Sequence, residues 1–300
     1  VYKRQDLHLK ALNLMGVKIS IKNGYVIAER KKNNLNSIDH KFPKISVGAT
    51  QNILMAASLA SGKSTLKNCA IEPEVIDLIN FLNKCGALIK VKNRTITVRG
   101  VEELKLQDYK VIPDRIEAGS YILATMATKG RLKLNNFNPK DLALPLKIYK
   151  EMGLKIKKLS NSSYEIYCKT LKPIKKISTK EFPGYPTDLQ AQLIATQLKS
   201  GLKSKVVENI FENRFIHIPE LRRFGANLSI KGNTVTIDKT SDLQGAEVMA
   251  TDIRASFSLI IAAMMSKGKT IINRIYHLDR GYEDFDLKLK KCGVNISRKK

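Results

Sequence analysis

The chain is predicted to be an α/β protein assembled from several copies of one unit of about 70 residues. Three observations predict it. A helix of small residues ends in glycine and runs into a strand four times over, in "ILMAASLASGKSTLKN", "YILATMATKGRLKLNN", "AQLIATQLKSGLKSKVVEN" and "FSLIIAAMMSKGKTIINR". The turn glycines Gly62, Gly130, Gly201 and Gly268 stand 68, 71 and 67 residues apart. About two dozen residues after each, a second helix ends in glycine before a strand, at Gly86, Gly153, Gly225 and Gly293, with a fifth such tail at Gly16.

Within a unit, each element has its own reason. The small-residue stretch before Gly62 reads as a helix that ends in glycine. "STLKN" then reads as a strand. Val75, Leu78, Ile79 and Leu82 recur at i, i+3, i+4 and i+7, one apolar stripe on a second helix. "ALIKVKNRTITV" alternates around a polar turn at Lys92-Asn93, which reads as two short strands. The unit is therefore helix, strand, helix, strand, strand, with a further strand expected before the first helix.

Gly62-Lys63-Ser64 and Gly268-Lys269-Thr270 look like the end of a phosphate-binding P-loop. That loop needs glycine where this chain has Ala57 and Ala263, and a helix where it has strand-like "STLKN" and "TIIN". Both readings as nucleotide loops are excluded.

Composition narrows the class. With 300 residues and 43% hydrophobic side chains, the chain can bury two ordinary cores. The apolar run from Ser256 to Met265 is too short to span a bilayer, no apolar stretch of signal-peptide type follows the first residues, and no membrane partner is expected. Cys69, Cys85, Cys168 and Cys292 lie far apart without metal-ligand spacing. Free thiols, no metal site of cysteines and a cytoplasmic setting are expected. The formal charge of +26 makes nucleic acid a first candidate partner. Yet the lysines are dispersed, with only short clusters at 30–32, 155–158 and 298–300, and no aromatic platform interleaves them. An anionic small substrate fits that charge as well, and nucleic acid is not the expected partner.

The stretch "EFPGYPTDLQAQ", residues 181–192, places an acid where a proline-stiffened loop opens a helix. Local physics offers capping: Thr187 as N-cap, Gln190 three residues on, and Asp188 at the positive end of the helix dipole. A carboxylate in that place is also well set to take a proton from a substrate, although this stretch alone favours capping.

Seven phrases then stand in register. They are "DLH" (6–8), "KISVGAT" (44–50), "VIPDRIEAGS" (111–120), "YPTDLQAQ" (185–192), "IFENRFIHIPEL" (210–221), "ATDIRASFSL" (250–259) and "RIYHLDRGYED" (274–284). Together they resemble the UDP-N-acetylglucosamine 1-carboxyvinyltransferase family of enolpyruvyl transferases, from Asp6 to the C-terminus. The resemblance implies a two-lobed fold, each lobe an inside-out α/β barrel of three repeated units. It implies residues 1–112 as an incomplete first lobe and 113–300 as the second. It also implies transfer of the enolpyruvyl group of phosphoenolpyruvate to the 3-hydroxyl of UDP-N-acetylglucosamine, with release of phosphate, a reaction that demands no metal and no organic cofactor.

By the same resemblance, Asp188 is the expected base. Arg280 is expected to grip the phosphoenolpyruvate anion, and Arg214 and Arg254 either line the same cleft or serve the fold; an ordinary ion pair of Arg280 with Asp279 or Glu283 is the plain alternative. Lys44, Ile45, Ser46 and Val47 match a loop at the diphosphate, Asp6 and Leu7 residues around the uracil, and Ile210 an apolar ligand contact. The plain reading of His8 is a capped loop residue. Six units imply about 420 residues, so about 120 are expected to be missing from the front. The family's acid, a cysteine on a Gly-rich loop, would lie among them, as would a lysine-asparagine pair and two arginines. "VYKRQ" matches nothing in the family, and Arg4 is no substitute, since the family arginine falls where this chain has Lys3. The chain as it stands is thus expected to be inactive. Two other readings remain at this point: a basic repeat protein that binds nucleic acid, and a relative that binds the sugar nucleotide without turnover.

Overall fold

The glycines that mark the repeat end their helices as the sequence suggests. In the computed structural model, which describes residues 5–30 and 35–299, Gly16, Gly86, Gly153, Gly225 and Gly293 all take positive φ, between 88° and 110°. After the helix 73–84, Gly86 N–H donates to Asn83 and Ala87 N–H to Leu82, the paired bonds that satisfy the last carbonyls of a helix. Gly153 with Leu154, and Gly293 with Val294, repeat that pairing. At Gly130 the left-handed conformation has moved back one residue, to Lys129. Lys3, Arg4, Lys31, Lys32 and Lys300 lie outside the described residues.

The chain divides into two compact units, Val1–Ile112 and Pro113–Lys300. The first runs α1 (Gln5–Leu14), β1 (Val17–Lys22), β2 (Tyr25–Arg30), β3 (Asp39–Lys41), α2 (Val47–Ser58), β4 (Lys63–Lys67), α3 (Pro73–Lys84), β5 (Leu88–Lys92) and β6 (Thr95–Arg99). β1 and β2 form a separate hairpin, and the other strands make one sheet in the order β3–β4–β6–β5. β3 is parallel to β4, and the remaining pairs are antiparallel. Ile53 and Leu54 of α2, Val75 and Ile79 of α3, and Leu66, Ile96 and Val98 of the sheet fill its core.

The second unit contains α4 (Arg115–Ala127), β7 (Arg131–Leu134), α5 (Ala143–Glu151), β8 (Lys155–Lys158), β9 (Tyr164–Tyr167), β10 (Ile177–Ser178), α6 (Gln190–Gln197) and β11 (Ser204–Val207). It continues with α7 (Ile218–Arg223), β12 (Leu228–Lys231), β13 (Thr234–Ile237), β14 (Glu247–Met249), α8 (Ile253–Met265), β15 (Ile271–Asn273), α9 (Tyr276–Asp279) and α10 (Phe285–Lys291). The sheet β10–β11–β13–β12 repeats the order and strand directions of the sheet in the first unit. The GKS and GKT turns do lead into strands, β4 and β15.

Two expectations of the repeat fail among the described residues. No strand precedes α4, and no strand follows Gly293. β7 and β15 therefore each stand at the edge of their sheets, with one side unpaired by any described strand.

The second unit is built inside out. α4, α6 and α8 pack against one another, and all eight residues of α6 are buried. Gly119 permits the approach, since a Cβ there would come within 2.6 Å of Leu189 Cδ1. α6 is covered on every side, so that even its polar side chains Gln190, Gln192, Thr196 and Gln197 are buried. Among the described residues, no helix is long and apolar enough to cross a membrane.

Candidate functional site

The repeats make Asp188 conspicuous by contrast. α2, α4 and α8 each begin with a side-chain cap: Ser46 accepts from Ala49 N–H, Asp114 from Ile116 and Glu117, and Asp252 from Arg254 and Ala255. α6 has none. It is entered through a 3-10 turn, Thr187–Leu189, behind Pro186, and no side chain caps that turn either. The capping box expected of Thr187 and Gln190 is therefore corrected. The hydroxyl of Thr187 donates instead to Glu208 Oε2, at 2.8 Å, and Gln190 is buried with its amide nitrogen unpartnered.

Asp188, freed from capping, faces two guanidinium groups. Its Oδ1 accepts from Arg254 Nε and lies 3.5 Å from the nearest Arg214 nitrogen. Arg254 sits in the first turn of α8, whose N-cap is Asp252. Arg214 stacks over the ring of Phe211, 4.5 Å from its centroid, and its side chain is only 16% exposed. Burial and the neighbouring Arg254 lower the Arg214 pKa, opposed by Asp188, Asp252 and Glu208. Two buried-edge cations against one shared carboxylate form a site that a dianion can enter on favourable terms.

Arg280 follows α9 and is exposed. The ion pairs that were its plain alternative do not form: Asp279 pairs with Arg298 at 2.7 Å, and Glu283 faces Lys288. Two residues on, the hydroxyl of Tyr282 is 2.7 Å from Ser120 Oγ, while Gln192 Nε2 donates to both oxygens. That buried network joins α4, α6 and the segment that carries Arg280. Desolvation pushes the Tyr282 phenol up to about 12, so it stays a neutral donor at any working pH.

Ile210 is half-buried, and its N–H donates to Glu208 Oε1 at 2.8 Å. Its chain position is thus tied to the same carboxylate that holds Thr187.

In the first unit the structure brings the "DLH" and "KISVGAT" segments together. Asp6 is exposed in the first turn of α1, whereas Leu7 is buried in the core, so its side chain is spent on packing. His8 lies within α1 rather than in a loop, and its Nδ1 is 2.6 Å from Asn52 Nδ2 on α2. Desolvation lowers its pKa against the pull of Asp6. A Cβ on Gly48 would meet the His8 ring at 3.3 Å, which places the starts of the two helices side by side. Lys44 is exposed, Ile45 and Val47 are half-buried, and Ser46 caps α2. The first-turn N–H groups of α2 and a lysine next to them suit a phosphate.

Sequence reasoning missed Glu208. It is 3% exposed and continues the inward register of Ser204 and Val206 along β11, an acid where the alternation calls for an apolar residue. It also missed His217, which is fully buried beside Asp252 and Arg214 with Nε2 unpartnered. Burial lowers the His217 pKa from 6.5 to about 4. The unfolded chain therefore binds a proton between those values that the folded chain refuses. Stability should fall as pH drops through that window, by up to about 3 kcal/mol. Denaturant midpoints at pH 7 and pH 5 for the native protein and His217→Gln check this. The variant should show the smaller drop.

A family model described as EPSP synthase (3-phosphoshikimate 1-carboxyvinyltransferase) matches residues 5–289. A UDP-N-acetylglucosamine 1-carboxyvinyltransferase of Pelagibacter ubique is 51% identical over 296 residues, 98% of this chain and 70% of that protein. One of Novosphingobium aromaticivorans is 45% identical over 98% of this chain and 69% of its own length. Among solved structures, the enolpyruvyl transferase NikO from Streptomyces tendae superposes with a TM-score of 0.87 at 24% identity, over 98% of this chain and 72% of that one. EPSP synthase from Acinetobacter baumannii superposes with a TM-score of 0.72 at 18% identity, over 95% of this chain and 70% of that one. These two establish the fold, the inside-out α/β barrel of repeated units. The sequence similarity goes further: the chain belongs to the EPSP synthase family of carboxyvinyl transferases, in the branch of the UDP-N-acetylglucosamine 1-carboxyvinyltransferases.

Proposed function

We propose that the protein transfers the enolpyruvyl group of phosphoenolpyruvate to the 3-hydroxyl of UDP-N-acetylglucosamine, releasing phosphate, at the entry to peptidoglycan synthesis in the cytoplasm. One observation carries the residue assignment. Asp188 opens the one central helix of the second unit that lacks a side-chain cap, and its carboxylate is held between Arg214 and Arg254.

In the addition step the 3-hydroxyl gives its proton to Asp188 while its oxygen bonds to the central carbon of phosphoenolpyruvate. The methylene carbon gains a proton, giving a tetrahedral adduct. Elimination then removes a proton from the new methyl group and expels phosphate, which restores the double bond. None of the four cysteines stands in the family's acid motif, so the methylene proton is assigned to no residue of this sequence. Arg280, Arg254 and Arg214 hold the phosphate and carboxylate; fixed guanidinium groups in a dry site stabilise charge that water would otherwise screen. Asp6, Leu7, Lys44, Ile45, Ser46, Val47 and Ile210 bind the sugar nucleotide, Leu7 through its backbone. The two units are the two lobes of the transferase.

Full-length protein should release inorganic phosphate only when both substrates are present. Phosphate-free mixtures with tight binding of the sugar nucleotide would make the protein a non-catalytic relative. Binding to any DNA that falls steeply with salt, without response to the sugar nucleotide, would replace this reading by nucleic-acid binding.

A further inference from the structure

We infer that Glu208 is a positioning residue for the proton transfer. It fixes the chain on either side of the site and so sets where Asp188 and Arg214 stand. The inference rests on the assignment of Asp188 as base.

The carboxylate of Glu208 lies just past the end of β11 and is almost wholly buried. Its Oε2 accepts the hydroxyl of Thr187 at 2.8 Å. Its Oε1 accepts the hydroxyl of Thr179 at 2.9 Å and the N–H groups of Ile210 and Phe211 at 2.8 and 3.1 Å. Four neutral donors thus converge on one buried charge, and a buried carboxylate persists only when so satisfied.

The partners are what give this arrangement meaning. Thr187 immediately precedes Asp188. Phe211 carries the guanidinium of Arg214 on its ring. Thr179 belongs to the segment after β10, and its Oγ1 also accepts from Asn209 N–H at 2.9 Å, which closes the three segments into one knot. In the other repeats the side chain at the helix start is spent on its own helix. Here Thr187 forgoes the local cap to bind an acid 21 positions away. The exchange pins the residue before the base to the strand that precedes the arginine, rather than to the helix that follows the base.

A carboxylate displaced by about 1 Å transfers protons poorly, even when substrate binding is intact, and such a displacement costs roughly a hundredfold. The test uses the full-length protein and three variants. Glu208→Ala removes all four acceptor contacts, Glu208→Gln keeps the volume and one acceptor, and Thr187→Val removes only the contact next to Asp188. We expect kcat to fall roughly tenfold to a hundredfold in Glu208→Ala, with Thr187→Val between it and the native protein. KM for the sugar nucleotide should stay within about threefold, and Glu208→Gln should recover part of the loss. Amide hydrogen exchange should speed up at Ile210 and Phe211 in Glu208→Ala but not in Thr187→Val.

A melting temperature that drops in Glu208→Ala while kcat of both variants, assayed well below it, stays native would overturn the inference. So would unchanged exchange at Ile210 and Phe211. If the native protein itself releases no phosphate, the functional reading has failed, and exchange alone then decides whether Glu208 holds these segments.

Discussion

Asp188→Asn is expected to lower kcat by a factor of about a hundred or more, as loss of a positioned general base does. The direction of the KM change is the sharper part of the expectation. Asp188 is the anion that Arg254 and Arg214 now share. Once it is neutral, the two guanidinium groups lose the carboxylate they share, Arg214 keeping only the pull of Asp252 and Glu208, and an incoming phosphate dianion takes its place more readily. KM for phosphoenolpyruvate should therefore hold or fall while kcat collapses. Steady-state kinetics with both substrates varied, together with the melting temperature, separate this from a structural role. A residue that only caps α6 would lower stability by about 1 kcal/mol and leave kcat intact. Native kcat in Asp188→Asn would sink the assignment of the base.

The repeat was legible because each unit punctuates itself. The left-handed glycines after α3, α5, α7 and α10 are demanded by the helix exits, and no other residue type takes those angles at so little cost. The alternation in "ALIKVKNRTITV" and the stripe Val75, Ile79, Leu82 likewise describe local geometry, and β5, β6 and α3 follow them. What local pattern could not decide was the use of a side chain that has two suitors. Thr187 sits where an N-cap belongs, but the stronger partner is Glu208, which reaches it only through the fold. The same holds for Arg280, whose neighbours Asp279 and Glu283 look like partners in sequence. Asp279 is claimed by Arg298 and Glu283 by Lys288.

Glu208 and His217 were within reach of a closer reading. Ser204, Val206 and Glu208 share one face of a strand, and an acid on an inward face must be satisfied by donors or neutralised. His217 gave less away: "FIHIPEL" looks like the start of an ordinary helix, and only the packing of α7 shows that the imidazole is sealed off. Leu7 illustrates the converse. Motif similarity places it near a ligand, while its side chain is committed to the core.

Phe257→Ala should be the costliest single change in the second unit's core, at about 3–5 kcal/mol. The ring of Phe257 is fully buried on α8, stacked on Tyr282 at 4.7 Å and edge-on to Tyr121 at 5.4 Å. Tyr282 is held through its hydroxyl and Tyr121 is buried on α4, so a cavity is expected to remain, and the melting temperature should fall by roughly 10 °C. Function should suffer as well, through a defined route. The stacking face of Phe257 sets the plane of Tyr282, whose hydroxyl is held by Ser120 and Gln192, and Arg280 lies two residues before it. On the role proposed for Arg280, loosening that ring should weaken its hold on the anion, so KM for phosphoenolpyruvate should rise in Phe257→Ala even at temperatures where the variant is folded. Phe257→Leu keeps most of the volume and should restore most of the stability. Because leucine offers no flat face to stack on, part of the KM defect should remain. A Phe257→Leu variant with native KM would show that bulk alone seats Tyr282; a Phe257→Ala variant with native melting temperature would show that α8 is not clamped here at all.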